Sequence, residues 1–325
     1  MSYIRRLSVF DKNKIREIVK SNSCGSDFKY PFLKEIFCLA QSFLPLKYKF
    51  LPETFVSVDK GELTGVISVK PVTGNSEAVN ILQLIFANEN YDAGKELVNF
   101  IVEYYGLRGA KTFKVIIDNN EKDLENLFMD GCGFRCGSWE NIWDVTSGIE
   151  EFKNIKPVNF SQMSDGFAPQ VAELINFELL NHYKPALKRK PEEFKSPLIE
   201  VFNNARNNCF VKHFNKNVCA YLNIQTNDNK NFVVIPYKSS AYDVNFDEIL
   251  AFAVRNITRF RLSDFNLYVC QQKNMNFSTQ LEEYLHSHDY ECVNTSHILI
   301  KEFYKPAKQE YQSFIFGENR ILLDR

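Results

Sequence analysis

The chain has 325 residues, 45% of them hydrophobic and 24% charged, a composition expected of a soluble globular protein with room for about two domains and their cores. With 39 Lys and Arg against 40 Asp and Glu, the formal net charge is −1, so no overall field recruits nucleic acid or an acidic membrane. Met1 to Lys12 lacks the apolar core of a secretory signal, and no apolar run nears the length of a spanning helix, so a cytoplasmic location away from membranes is expected. The eight cysteines are scattered, and the close pair Cys132 and Cys136 matches no common zinc spacing, so reduced thiols and no metal are expected.

In chain order, Ile4 to Phe10 opens the chain and Asp11 is placed to cap a helix with Ile15, Ile18 and Val19 on its apolar face. Phe28 to Pro52 is aromatic and aliphatic. Phe55 to Val69 folds about Lys60-Gly61 as a hairpin. Ile81 to Phe86 suits a buried strand, and Ala87 to Asp92 is a polar loop closing at Gly94. Leu97, Val98, Ile101, Val102 and Tyr105 then recur at helical spacing until Gly106 and Gly109. Phe113 to Asp118 is strand-like, Leu124, Leu127 and Phe128 give a second helix face, and Gly131-Cys-Gly-Phe134 turns the chain into a strand from Ser138 to Val145.

The same unit then recurs. Ile155 to Phe160 opens it, Ser164 or Asp165 caps a helix carrying Val171, Leu174, Ile175 and Leu179, and Phe210 to Ile224 aligns with Phe55 to Val69 without a gap, with Lys216-Asn217 as the turn. Leu250 answers Leu97, Phe265 to Val269 answers Phe113 to Ile117, and Tyr290 with Cys292 answers Phe134 with Cys136. A repeat this long is two copies of one domain, not a solenoid. The expected domains are 1–148, 155–305 and a C-terminal tail, 306–325.

The order β-α-β-α with Gly-Phe at its end resembles the acyl-CoA-binding half of the GNAT (N-acetyltransferase-related) superfamily, in which a strand leads into an Arg/Gln-x-x-Gly-x-Gly/Ala loop and helix. Here that loop falls on Glu89-Asn-Tyr-Asp-Ala-Gly94, with Glu89 in place of Arg or Gln and Asp92 in place of Gly. The resemblance implies two tandem acyl-CoA N-acyltransferase-like α/β domains, each a mixed, mainly antiparallel sheet flanked by helices, the second degenerate. It also implies acetyl-CoA or another acyl-CoA as cosubstrate and a small-molecule or peptide amine as acceptor.

In that family the strand backbone pairs with the pantetheine arm, which here assigns Leu84, Ile85 and Phe86. Loop amides and the helix N-terminus hold the pyrophosphate, which assigns Glu89, Asn90, Tyr91, Asp92, Ala93, Gly94 and Lys95. Asp92 is equally placed as a plain helix cap. The usual tyrosine acid falls on Met129 or Phe128, neither of which donates a proton, so Asn119 and Glu121 become candidates for ordering a relay water, or for capping. Candidate bases are Glu53, Asp59 and Asp118, since Gln83 cannot titrate. In the second copy Lys238, Ser239 and Ser240 begin a glycine-free loop, Asp247 stands opposite Gly94, and Tyr284 sits one residue before the acid position. Each copy shows one strand after its turn where the family has two, and the tail with Phe314 to Leu323 is a candidate for the missing strand. A non-catalytic tandem module that binds acyl-CoA or another protein is the alternative to an enzyme.

Overall fold

The structure is a computed structural model, and it describes residues 3–11, 13–15, 18, 24–27, 52–72, 75–87, 90–195, 206–226, 228–259 and 264–304. The first half runs β1 (Tyr3–Arg6), β2 (Cys24–Asp27), β3 (Glu53–Asp59), β4 (Glu62–Val72), β5 (Asn75–Phe86), α1 (Tyr91–Gly106), β6 (Thr112–Asp118), α2 (Lys122–Asn126, continued by a π turn over Leu127–Gly131) and β7 (Arg135–Asp144). The second runs α3 (Ile149–Asn154), β8 (Ser161–Gln162), α4 (Ala168–Glu178), β9 (Arg206–Phe214), β10 (Asn217–Thr226), β11 (Asn231–Lys238), α5 (Phe246–Thr258), β12 (Asn266–Gln272), α6 (Ser278–Ser287) and β13 (Glu291–Glu302). Much of what the sequence expects before the first hairpin, the segment 28–51 above all, lies outside the described residues.

Local chemistry accounts for the elements. Both hairpins turn on two residues with positive φ, Lys60 and Gly61 in the first and Asn215 and Lys216 in the second, the geometry that matches strand twist. The second turn is therefore Asn215-Lys216 and not Lys216-Asn217, which extends the 155-residue offset through the turn, Lys60 answering Asn215. Helix α1 buries Leu97, Val98, Ile101 and Val102 on one stripe and starts at Tyr91, earlier than the loop expected through Asp92, because the Asn90 side chain accepts from Ala93 N–H at 3.2 Å. The helix that Asp11 is placed to cap lies partly outside the described residues. The Asp11 carboxylate is held by Arg5 at 2.6 and 2.7 Å and by Ser8 N–H at 2.8 Å. The expected opening strand of the second copy is displaced to β8, which pairs with β9 at Val211 and Phe210.

All strands join one sheet in the order β1-β3-β4-β5-β6-β13-β7-β12-β11-β10-β9-β8, with β2 attached to β5. The centre of that order is an exchange. β13, the last strand of the second half, lies antiparallel between β6 and β7, with Ile298 opposite Ile116 and Leu299 opposite Val115. β7, the last strand of the first half, lies between β13 and β12, with Trp143 opposite Val269. Each half thus receives its missing strand from the other, while the tail that the sequence offered for that place lies outside the described residues.

The exchange leaves neither half with an open edge at β6 or β12, where unpaired N–H and C=O groups would invite aggregation. It also carries core side chains across. Leu299 packs in the first-half cluster around α1 with Phe55, Leu97 and Phe113, and Trp143 packs in the second-half cluster with Leu174, Leu250 and Val254. Gly106 is required here, since a Cβ on it would stand 2.5 Å from the Phe303 ring just past β13.

Candidate functional site

Parallel neighbours in a sheet stay paired only while their twists agree, and in the first half β5 and β6 pair over just Ala78–Asn80 and Thr112–Lys114. Beyond Asn80 and Lys114 they part, with β5 running on to Phe86 and α1 beginning five residues later. The parted edge of β5 is covered by β2, where Cys24 pairs with Phe86, Gly25 with Ile85, Ser26 with Leu84 and Asp27 with Gln83. The other edge of the same residues pairs with Gly65–Ser68 of β4. Gln83 to Phe86 therefore have strands on both sides.

At the end of this gap, Leu84 and Phe86 are fully buried, and the Tyr91 ring meets Phe86 edge-on at 5.3 Å. Gly94 lies against the same ring, where a Cβ would come within 2.9 Å, so glycine at this position serves close packing of α1 on β5. Asn90 caps the helix, leaving Asp92 as an exposed acid in the first turn, Ala93 buried and Lys95 exposed. Glu89 lies outside the described residues.

On α2, Phe128 is buried edge-on to Phe134 at 5.1 Å and Met129 packs against the same core, so neither position offers a hydroxyl. Asn119 accepts from Lys122 Nζ at 2.8 Å, and Glu121 precedes the first residue of α2 without a side-chain capping bond. Among the candidate bases, Glu53 pairs with Arg6 at 2.9 Å and Asp118 accepts from Asn120 N–H at 3.0 Å.

The second half repeats the parting and fills it differently. β11 and β12 pair from Asn231 with Asn266 to Val234 with Val269, then separate. The chain leaving α4 crosses at the β12 side, through a bridge of Leu179 to Met275, Leu180 N–H to Asn274 O at 2.9 Å and Asn276 N–H to Glu178 O at 2.8 Å. By the 155-residue offset, Leu179 answers Cys24, so equivalent segments reach both gaps but attach to opposite walls.

The loop after β11 carries chemistry that sequence spacing did not bring together. Glu178, fully buried, accepts from Ser240 N–H at 2.8 Å and Ser240 Oγ at 3.1 Å. Its second oxygen has no hydrogen-bond partner among the described residues. Lys238 is buried as well, donating to Val244 O at 3.1 Å over the Phe246 ring, and burial pushes its ammonium below the usual lysine value. Ser239 N–H goes to Cys219 O on β10, so the first amides of this loop are already taken by neighbouring elements. At the start of α5 the Asn245 side chain accepts from Asp247 N–H, and Tyr284 donates to the Asp247 carboxylate. Burial, and then that bond, push the Tyr284 phenol up. Glu178 was missed because it reads as an ordinary polar position on α4; only the fold aims it at the loop.

Among the described residues there is no cluster of three or more groups able to hold a metal, and no helix long and apolar enough to cross a membrane. No family model and no curated protein matches the sequence. In structure the chain is similar to a tandem GNAT protein from the clavulanic acid biosynthesis pathway, at 10% identity over 94% of this chain and 100% of that one, TM-score 0.53. It is also similar to a GCN5-related N-acetyltransferase from Sphaerobacter thermophilus (11% identity, 94% and 96% covered, TM-score 0.52) and to one from Kribbella flavida (8% identity, 93% and 71% covered, TM-score 0.52). Likeness at these identities is likeness of fold, and the fold of this chain is the tandem GNAT fold.

Proposed function

We propose that this chain, built on the tandem GNAT fold, is a cytoplasmic acyl-CoA-dependent N-acyltransferase whose acceptor is a small-molecule or peptide amine. The observation that carries the reading is the parting of β5 from β6 after Asn80 and Lys114, with the N-terminus of α1 at the far end of the gap. A helix start supplies amides and a positive dipole end for a pyrophosphate, while a freed strand edge supplies donors and acceptors for the amide-bearing pantetheine arm. On this reading the backbone of Leu84, Ile85 and Phe86 takes the arm once β2 has left that edge. Asn90 to Gly94 face the phosphates, and Lys95 offsets Asp92.

The neutral amine's lone pair forms the C–N bond, the thioester C–S bond breaks with its electron pair on sulfur, and the amine proton passes to water. A thiol of pKa about 8.5 leaves adequately as thiolate, so the missing phenol at Phe128 and Met129 slows the reaction without forbidding it. Asn119 and Glu121 remain the proposed relay for protonating that sulfur.

A second reading has its own observation. β2 covers the strand edge that the arm needs, and counted from the capping Asn90 and Asn245 the second half has Ile249 at the helix position where the first has Gly94, which suits a tandem module that kept the fold as an interaction scaffold. Calorimetric titration of the full chain with acetyl-, propionyl- and octanoyl-CoA separates the two. Saturable binding, weakened about tenfold by Lys95→Glu, is expected for the enzyme; no heat at millimolar ligand for any of the three leaves the scaffold.

A further inference from the structure

A chamber of about 780 Å³ lies between the two halves. Its floor is the sheet face opposite α1, where Ile298 and Ile300 point while their neighbour Leu299 joins the core under that helix. Its wall is α4, and the chain from Pro185 to Pro191 closes over it, with Ala186 and Leu187 packed against Ile116, Ile298 and Ile300. Asn80 and Lys114, the last paired residues before β5 and β6 part, line one end. The chamber therefore reaches the root of the gap whose far end is the start of α1.

The lining favours an uncharged occupant. Among the described residues five basic and five acidic side chains border the space, so it has no surplus of either sign to recruit an ion. Several of these charges are already matched, Glu77 with Lys111 and Lys190 at 2.7 Å each, Glu193 with Arg189 at 3.1 Å and Glu302 with Arg135 at 3.0 Å. A balanced lining offers little to repay the desolvation of a ligand's charge. Between the charges, Ile175, Leu179, Met275, Ile298 and Ile300 present carbon, and apolar surface buried against them leaves water. At the second-half end Glu140 accepts from Gln272 Nε2 at 3.2 Å, and Asn274 has an amide oxygen without a hydrogen-bond partner among the described residues, so the apolar stretch stops short of them.

The order of groups along a bound acyl-CoA supplies that occupant. On the acyl-transfer reading, on which this inference rests, the phosphates sit at Asn90 to Gly94 and the arm runs down β5 from Phe86 to Leu84, so the thioester comes next toward Asn80. The acyl carbons then point at the chamber, and no pairing of β5 with β6 beyond Asn80 and Lys114 bars the way. We infer that the chamber holds the acyl chain, and that this chain selects a medium-chain acyl-CoA over acetyl-CoA. The exchanged strand β13 supplies the floor of that acyl site, so the second half sets the chain length that the first half accepts.

Calorimetric titration of the full chain with acetyl- and octanoyl-CoA tests this. Octanoyl-CoA should bind about thirtyfold or more tighter, since its added methylenes leave water for the chamber. In isoleucine-methyl NMR spectra octanoyl-CoA should shift the signals of Ile298 and Ile300, and acetyl-CoA should not. Ala186→Trp fills the roof and should bring the ratio of the two affinities near one. Leu187→Gln changes polarity with little change in bulk and should lower that ratio about threefold or more. Equal affinities, with acetyl-CoA bound, overturn the acyl chamber and leave acyl transfer standing. A preference for octanoyl-CoA that spares the Ile298 and Ile300 methyls, or that both substitutions leave intact, overturns the chamber as well. Failure of both ligands to bind overturns the chamber together with acyl transfer.

Discussion

The two gaps in the sheet descend from one repeated unit, yet they are closed from opposite walls. In the first half an extra strand pairs along β5 from Gln83 to Phe86; in the second, Glu178 to Leu180 attach beyond β12 and leave Ile235–Lys238 to β10 and the loop. The first closure is backbone to backbone, the kind of contact that another extended ligand can replace. The second is pinned by a buried carboxylate on Ser240, and the helix behind it begins with Asp247 under Tyr284. One fold thus yields a gap that can be contested and a gap that is locked.

The exchange of β7 and β13 sets the largest expected effect. Residues 1–148 expressed alone lack the strand between β6 and β7 and should aggregate, whereas co-expression with 149–325 should restore one soluble complex by size exclusion. A monomeric, cooperatively unfolding 1–148 fragment would refute the exchange.

Next, Gly137→Val puts side-chain atoms where Ile300 already stands, 2.2 Å from the added Cβ, and should cost about 1–3 kcal/mol of stability by denaturant unfolding. An unchanged midpoint would show that β7 and β13 are not in this register.

Glu178→Ala strips two hydrogen bonds from a buried carboxylate and should cost about 1.5–3 kcal/mol, read as a lowered midpoint; a neutral result would mean that the second gap is not locked this way. Gly25→Pro attacks the first closure instead. With β2 weakened, acetyl-CoA affinity should rise about tenfold, and an unaltered titration would remove β2 as a competitor.

The smallest effect concerns the chamber rim. Lys111 and Lys190 hold the Glu77 carboxyl down to about 2. A folded-state value below the unfolded one means the contribution is full above the ordinary glutamate range and fades as pH falls toward 2. Melting curves of wild type and Glu77→Gln should therefore differ near neutrality and converge in acid; a constant difference would count against the pairing.

Periodicity made the long helices and the hairpins legible, though the second turn, expected at Lys216-Asn217, falls one residue earlier at Asn215-Lys216. What stayed hidden was non-local. No pattern in Ile298-Leu-Ile300 states that its partner strand is Ile116's and not one in its own half, because strand pairing is fixed by the whole sheet and not by alternation. The family resemblance names Leu84 to Phe86 on the parting strand, but the strand lying on them comes from a short stretch, Cys24–Asp27, with weak strand propensity. Glu178 and Asn274 look unremarkable in sequence, since burial around an unsatisfied oxygen appears only when α4 and the end of β12 meet.

The exchanged strands also impose a schedule on synthesis. β6 pairs with residues that lie nearly the whole second half further along, Asp118 with Ser296 and Thr112 with Glu302. Until Glu302 has left the ribosome, the first half waits with one edge of β6 uncovered and β7 without β13, and until Gln272 has left, β7 lacks β12 as well. Slow codons or chaperone contacts between the halves would lengthen that exposure, so yield in the cell should depend on how fast the second half arrives as much as on how stable the finished sheet becomes.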